Sequence, residues 1–210
     1  MTVQEIVGIL DRSGSMRGKE HDTVGGINTM ISEVKKGKTK DDTIRVSIKL
    51  FDNEEIMKWR SLNIDDVDDF PVEDFIPRGS TALLDALGNS LKYFMEKKLM
   101  DPTAYDSCLL YVATDGLENS SHLYNRVLIK ELINAGKEKY NITVVYLGAN
   151  QDAILEASNL GINAAQAINY SENEDCTQAV FRSVGRVASD ARTNRNAGFN
   201  EPERHASQIN

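Results

Sequence analysis

Five side chains able to offer an oxygen to a metal ion stand at three separated places in the chain. They are Asp11, Ser13 and Ser15 in Asp-Arg-Ser-Gly-Ser, Thr81 in Arg-Gly-Ser-Thr-Ala, and Asp115 in Ala-Thr-Asp-Gly. Two carboxylates and three hydroxyls, with no Cys and no paired His, suit a hard cation: Mg²⁺ first, then Mn²⁺ or Ca²⁺. The same set disfavours zinc. In Asp-x-Ser-x-Ser the donors fall at i, i+2 and i+4, which share one face of an extended chain, and Gly14 lets the loop curl around an ion. With only two negative ligands the ion stays electrophilic, and a carboxylate from another molecule can displace the waters that Mg²⁺ tends to keep. Taken singly, each piece is commonplace: a polar turn, a helix N-cap at Ser80 or Thr81, a Thr-Asp-Gly turn. Their order, each at a strand end or a helix start, argues for one joint site.

The elements that must position these residues follow from hydrophobic spacing. Residues 3–10 read as a buried strand ending in the Asp11 turn, and Val24, Ile27, Met30, Ile31 and Val34 recur at helical spacing. A second strand covers 43–51 and a third 55–59. The link of Asp52, Asn53 and Glu54 is too short for a crossover helix, so these two strands form an antiparallel hairpin. A helix opened by Thr81 carries Leu83, Leu84, Leu87, Leu91, Phe94 and Met95. The most hydrophobic strand, 107–113, belongs in the middle of a sheet covered on both faces. A helix over 125–139 turns Val127, Leu128, Leu132 and Ile133 inward, and a strand over 142–147 follows. Then come a short helix over 153–160 stopped by Gly161, a weak edge strand over 164–168, and a last helix over 174–190.

Strands alternating with helices predict an α/β, doubly wound, Rossmann-like sheet, mostly parallel with one antiparallel strand and with helices on both faces. In the strand order 3-2-1-4-5-6 the first and fourth strands are neighbours at the point where the winding reverses. Asp11 and Asp115, which follow those strands, then face one crevice, and the loop before Thr81 can reach its rim. Residues 1–190 form the domain; residues 191–210 are a polar, Arg- and Asn-rich segment, either a tail or packed on the domain.

The chain has 210 residues and a formal net charge of −8, which argues against broad attraction to nucleic acid or anionic membrane. The acidic cluster Asp65, Asp66, Asp68, Asp69, Glu73 and Asp74 lacks the spacing of a calcium loop and reads as a solvated loop. Two cysteines give no disulfide framework, no signal peptide opens the chain, and no run is long enough to span a membrane. A cytoplasmic protein is expected.

The five residues, quoted in these contexts, make the chain similar to the von Willebrand factor A domain with its metal-ion-dependent adhesion site, over roughly residues 3–190. The segments Ile-Val-Gly-Ile-Leu-Asp-Arg-Ser-Gly-Ser-Met and Gly-Ser-Thr-Ala-Leu-Leu-Asp-Ala-Leu resemble intracellular and bacterial members. The stretch 147–153, Leu-Gly-Ala-Asn-Gln-Asp-Ala, with the polar tail, resembles small stand-alone bacterial or phage members. The resemblance implies that Ser13 and Ser15 coordinate directly. Thr81, Asp11 and Asp115 would coordinate directly or through water, and a partner's Asp or Glu would complete the shell. Integrin β-type domains carry further acidic residues just after the serines; Met16, Arg17 and Gly18 stand there instead, so a second adjacent metal is not expected. Glu118 and His122 follow Asp115 closely and read as loop residues.

A non-enzymatic, metal-dependent protein-binding module is therefore the expected function. Arg12, Arg17, Lys19 and Arg78 lie near the metal loops and either attract an acidic partner segment or are simply solvated. A metal-dependent phosphoryl-transfer enzyme is a weaker alternative. A haloacid-dehalogenase-type nucleophile at Asp11 needs a second Asp two residues on, where Ser13 stands, and there is no P-loop or nucleophile elbow around a serine. Nucleic-acid association is the other alternative, resting on Arg182, Arg186, Arg192, Arg195 and Arg204 against an acidic whole.

Overall fold

The computed structural model describes residues 2–149 and 152–208. Asn150 and Gln151, within the 147–153 stretch quoted above, lie outside them, as do Met1, Ile209 and Asn210. Among the described residues six strands form one sheet: β1 (Thr2–Asp11), β2 (Asp42–Phe51), β3 (Glu55–Asn63), β4 (Ser107–Thr114), β5 (Ile142–Ala149) and β6 (Ala167–Tyr170). Their order is β3-β2-β1-β4-β5-β6, and every pairing is parallel except β2 with β3. This is the α/β arrangement that the alternation of elements predicts, with β1 beside β4 and the hairpin on one edge.

The sheet is doubly covered because its central strands are apolar on both faces. Ile6 and Leu10 of β1 join Leu109, Tyr111 and Ala113 of β4 on the face packed by α1 (Glu20–Gly37) and α5 (Glu174–Arg192). The intervening Val7, Ile9, Cys108, Leu110 and Val112 face α2 (Leu83–Met100), α3 (Arg126–Tyr140) and α4 (Ala153–Asn159). Close approach needs glycine at several contacts; a Cβ at Gly26 of α1 would lie 2.5 Å from the Phe181 ring of α5, and one at Gly8 would lie 2.4 Å from the Tyr111 hydroxyl.

One inward set differs from expectation. Of the four residues expected inward on α3, Ile133 is buried and Leu132 packs against the core, but Val127 is 67% exposed and Leu128 is also exposed; Ile129 and Gly136 take their places. Beside Leu132 and Ile133, helical spacing admits either Val127 and Leu128 or Ile129 and Gly136, and packing on the strands selects the second pair. Asn125 caps this helix by accepting from the Leu128 N–H at 3.0 Å.

The last described residues lie along the β6 edge. Phe199 N donates to Ala165 O (2.7 Å), Arg204 to Ala167 O (2.7 Å) and the Ser207 hydroxyl to Asn169 O (2.8 Å), while α6 (Glu201–Ala206) is tied to α5 by Arg186 and Glu203. Edge carbonyls that would otherwise be open to another strand are thereby occupied. Near the start of central β1, at the strand end away from Asp11, the buried Gln4 donates to Ala188 O of α5 at 2.7 Å, and Arg192 donates back to Gln4 at 3.2 Å. Among the described residues no helix is long and apolar enough to cross a membrane.

Candidate metal centre

Parallel strands all end at the same rim, and all five oxygen donors lie there. Asp11 closes β1, Ser13 and Ser15 sit in the turn that follows, Thr81 precedes α2 and Asp115 follows β4. A single point brings three segments together: a Cβ added at Gly116 would lie 3.3 Å from Thr81 Oγ1, 3.7 Å from Ser15 Oγ and 3.8 Å from Asp11 Oδ2. The two remaining donors join through Ser15, whose Oγ is 3.0 Å from Ser13 Oγ and donates to Asp115 Oδ1 at 2.7 Å. Neighbouring ligands around an octahedral Mg²⁺ with bonds of about 2.1 Å are about 3 Å apart. The Ser13–Ser15 and Ser15–Asp115 separations match that spacing. Gly116 matters because any side chain there would fill the cradle.

Asp11 is buried, its Oδ1 accepting from Ser13 N (2.7 Å) and its Oδ2 from Thr114 Oγ1 (2.6 Å). Burial pushes its carboxyl above the ordinary range; the bonds from Thr114 and Ser13 pull the other way, and the negative charge of Asp115 adds to the rise. Charge on Asp11 is therefore costly unless a cation is near. Lys19, at the start of α1, donates to Asp115 Oδ2 and to Glu172 in the turn after β6. Burial works against its charge, but the bonds to Asp115 and Glu172 outweigh that and raise its pKa.

Thr81 is not an N-cap. The capping position of α2 is Ala82, with no side-chain cap, so the Thr81 hydroxyl is not spent on the helix. The first-turn N–H groups, which have no partner within the helix, find acceptors across the loop instead: Leu84 N donates to Glu118 Oε2 (2.9 Å) and Asp85 N to Ser121 Oγ (3.1 Å). Asp85 in return accepts from the N–H groups of His122, Leu123 and Tyr124. Asn119 fastens Thr81 itself, accepting from its N–H at 2.9 Å and donating to its carbonyl at 3.0 Å. Glu118 is therefore a clamp between the Asp115 loop and α2.

Sequence reasoning missed the residue that joins the other loops. Asp52, just after β2, is fully buried and lies 3.0 Å from Arg12 Nη2, and it accepts from Arg78 Nε (2.9 Å) and Glu54 N (2.6 Å). Its carbonyl accepts from Ala82 N at 2.9 Å. Around it, Arg78 N donates to Arg12 O (2.7 Å) and Gly14 N to Gly79 O (3.1 Å), so the serine turn and the Thr81 loop are laced together. Gly79 has φ +69° and its Cβ would lie 2.2 Å from Asn53 Oδ1, so only glycine serves there. Arg12, only 4% exposed, therefore holds the site together from inside, and Lys19 and Arg78 are engaged in ion pairs; of the four cations near the loops, Arg17 is exposed.

The arginines considered for nucleic acid are largely engaged too. Arg186 pairs with Asp190 and Glu203, Arg192 is buried against Gly37 O and Asp42, and Arg204 donates to backbone carbonyls; Arg182 and Arg195 are exposed.

No protein-family model and no curated protein matches the chain. Solved structures do, at low identity. A von Willebrand factor type A structure from Catenulispora acidiphila superposes with a TM-score of 0.67 at 17% identity, covering 90% of this chain and 43% of that one. Proximal thread matrix protein 1 from the mussel byssus does so with a TM-score of 0.67 at 15% identity, covering 90% and 46%. A further structure of the mussel protein has a zinc-occupied MIDAS motif. The manganese-loaded TRAP protein of Plasmodium vivax gives a TM-score of 0.58 at 18% identity, covering 81% and 69%. The chain spans about half the length of the first two of these. Its strand order, its single antiparallel hairpin and these superpositions agree: the chain has the fold of von Willebrand factor A domains.

Proposed function

We propose that the chain is a non-enzymatic, metal-dependent protein-binding module. Asp11, Ser13, Ser15, Thr81 and Asp115 hold a divalent cation, Mg²⁺ in preference to Mn²⁺ or Ca²⁺, and an Asp or Glu of a partner protein completes its shell. The observation that carries this reading is the convergence of oxygens from three chain segments on the point beside Gly116. The cation supplies a Lewis-acidic position for an incoming carboxylate. The chain's own residues fix the donors, through Asp52 and Glu118, and leave Ser15 exposed at the rim where a partner arrives. A zinc-occupied MIDAS motif in one structure of similar fold and manganese in another support a divalent-cation site here, though not the preference for Mg²⁺. A cytoplasmic setting is part of the reading. The nucleic-acid alternative is weaker because Arg186, Arg192 and Arg204 are spent on internal contacts.

Calorimetric titration with Mg²⁺ tests the site, comparing wild type with Asp11→Ala. Wild type should bind one ion and Asp11→Ala none, while both unfold cooperatively in EDTA. Retention of a partner should then require wild type and Mg²⁺ together. Equal retention in Mg²⁺, in EDTA and by Asp11→Ala would defeat the metal-bridged reading, and loss of folding in Asp11→Ala would make the aspartate structural.

A further inference from the structure

Asp115 has two carboxylate oxygens, and neither is open. Oδ1 takes the Ser15 hydroxyl at 2.7 Å, Oδ2 takes the Lys19 ammonium, and the side chain is only 3% exposed. Lys19 is anchored at its backbone, where its N–H donates to Met16 O at 3.1 Å and its carbonyl accepts from Thr23 N at 2.9 Å. Its side chain has a second carboxylate to rest on, Glu172, whose own side chain is 25% exposed. A permanent positive charge thus stands on one of the five donors, with a nearby place to move to.

We propose that Lys19 is a resident counter-cation of the metal centre, competing with the divalent ion for Asp115 and setting how tightly the ion is held. This rests on the metal-binding reading given above. The physics is like-charge repulsion across one carboxylate in a partly desolvated site, where screening by water is weak. To bind the ion at full strength, the ammonium must give up Asp115 and rely on Glu172. Lys19 therefore lowers the resident affinity and makes a partner's carboxylate, which adds negative charge to the cluster, a larger part of the total binding. Without a divalent ion the same ammonium offsets the charges of Asp115 and Glu172, so the protein keeps its fold.

The two effects have opposite signs, and that separates this role from a purely structural one. Lys19→Met should bind Mn²⁺, measured by calorimetry and by the loss of the free-ion paramagnetic resonance signal, on the order of ten-fold more tightly than wild type. In EDTA it should melt at a lower temperature than wild type. Lys19→Arg, which keeps the charge, should stay close to wild type in affinity. Lys19→Gln, which can still donate to Asp115 without charge, serves where Lys19→Met does not fold, and should also bind more tightly. Equal or weaker Mn²⁺ binding by the neutral variants, with wild type binding normally, overturns the role given to Lys19 and leaves the metal centre standing. Binding by a neutral variant alone supports it in its strongest form. Absence of binding in every protein overturns the metal reading and this inference with it.

Discussion

Asp52→Ala should be among the most damaging single changes near the rim, although Asp52 is not a proposed ligand. The substitution leaves the Arg12 guanidinium, 4% exposed, without its counter-charge. Breaking a buried pair by removing one partner costs about 3–5 kcal/mol. The Glu54 N–H loses its acceptor, worth about 1 kcal/mol. The half-exposed Arg78 adds little, since pairs open to water are worth at most about 1 kcal/mol. Together these give about 4–6 kcal/mol. For a chain of this size, about 2–4 °C per kcal/mol makes a fall in Tm of roughly 10–20 °C. Urea unfolding in EDTA is the assay, because it removes any contribution from bound metal. The double variant Arg12→Met with Asp52→Leu removes both charges and should recover most of the loss, to within about 1–2 kcal/mol of wild type. A cost below about 1 kcal/mol for Asp52→Ala would refute the reasoning, since it would mean that Arg12 reaches water at no expense and the pair does not lace the loops.

Other outcomes follow from the same contacts. Asp11→Asn should raise Tm in EDTA, because it mimics the protonated acid: its carbonyl still accepts from Ser13 N, and its amide can donate to Thr114 Oγ1. The folded pKa of Asp11 is raised, so the stability this group contributes is fully present below the unfolded value, about 3.9, and is lost as pH rises through the folded one. The advantage of Asp11→Asn over wild type should therefore grow on going from about pH 4 to about pH 7; a constant or shrinking difference would contradict the assignment. Glu118→Ala should cost about 1–3 kcal/mol by leaving Leu84 N, Ser120 N and Ser121 N without their acceptor, and should weaken Mg²⁺ binding through the Asn119–Thr81 contact. An unchanged Mg²⁺ affinity would mean that the Thr81 loop is fixed independently. Gly26→Ala forces a methyl against the Phe181 ring and should lower stability by about 1–3 kcal/mol with no effect on metal affinity, read by urea unfolding and calorimetry.

The parts of the site that can be read from the chain are those set by local pattern. Asp-x-Ser-x-Ser needs only a strand before it and a glycine within it, and both are visible in the residues. The antiparallel hairpin is legible because three residues cannot cross a sheet. Asp52 was not, for the same reason: in a three-residue link an aspartate looks like a turn former, and nothing local says that arginines forty positions before it and twenty-six after it will close on its carboxylate. Arg12 lies inside the motif and reads as solvated until the Phe51 and Arg78 backbones cover it. Lys19 looks like an ordinary charge before a helix, since the turn bearing Glu172 is brought beside it only when β6 and α5 are in place. The inward face of α3 is ambiguous at its start, because Val127 and Leu128 match the spacing of Leu132 and Ile133 as well as Ile129 and Gly136 do. Which face wins is settled by the sheet, a non-local partner.

The placement of β1 has a consequence for how the chain is made. It precedes the other five strands in the chain, it is apolar on both faces, and it lies at the centre of the sheet between β2 and β4. Its partner β4 follows about a hundred residues later, which at ribosomal speeds of about 5–20 residues per second is a delay of about 5–20 s. Gln4 waits longer still for Ala188 and Arg192. During that interval the nascent chain carries a largely apolar strand with one edge unpaired. A chaperone that shelters extended apolar peptides would find its best target there, and yield on expression should respond more to chaperone supply during synthesis than to changes that stabilise the finished fold.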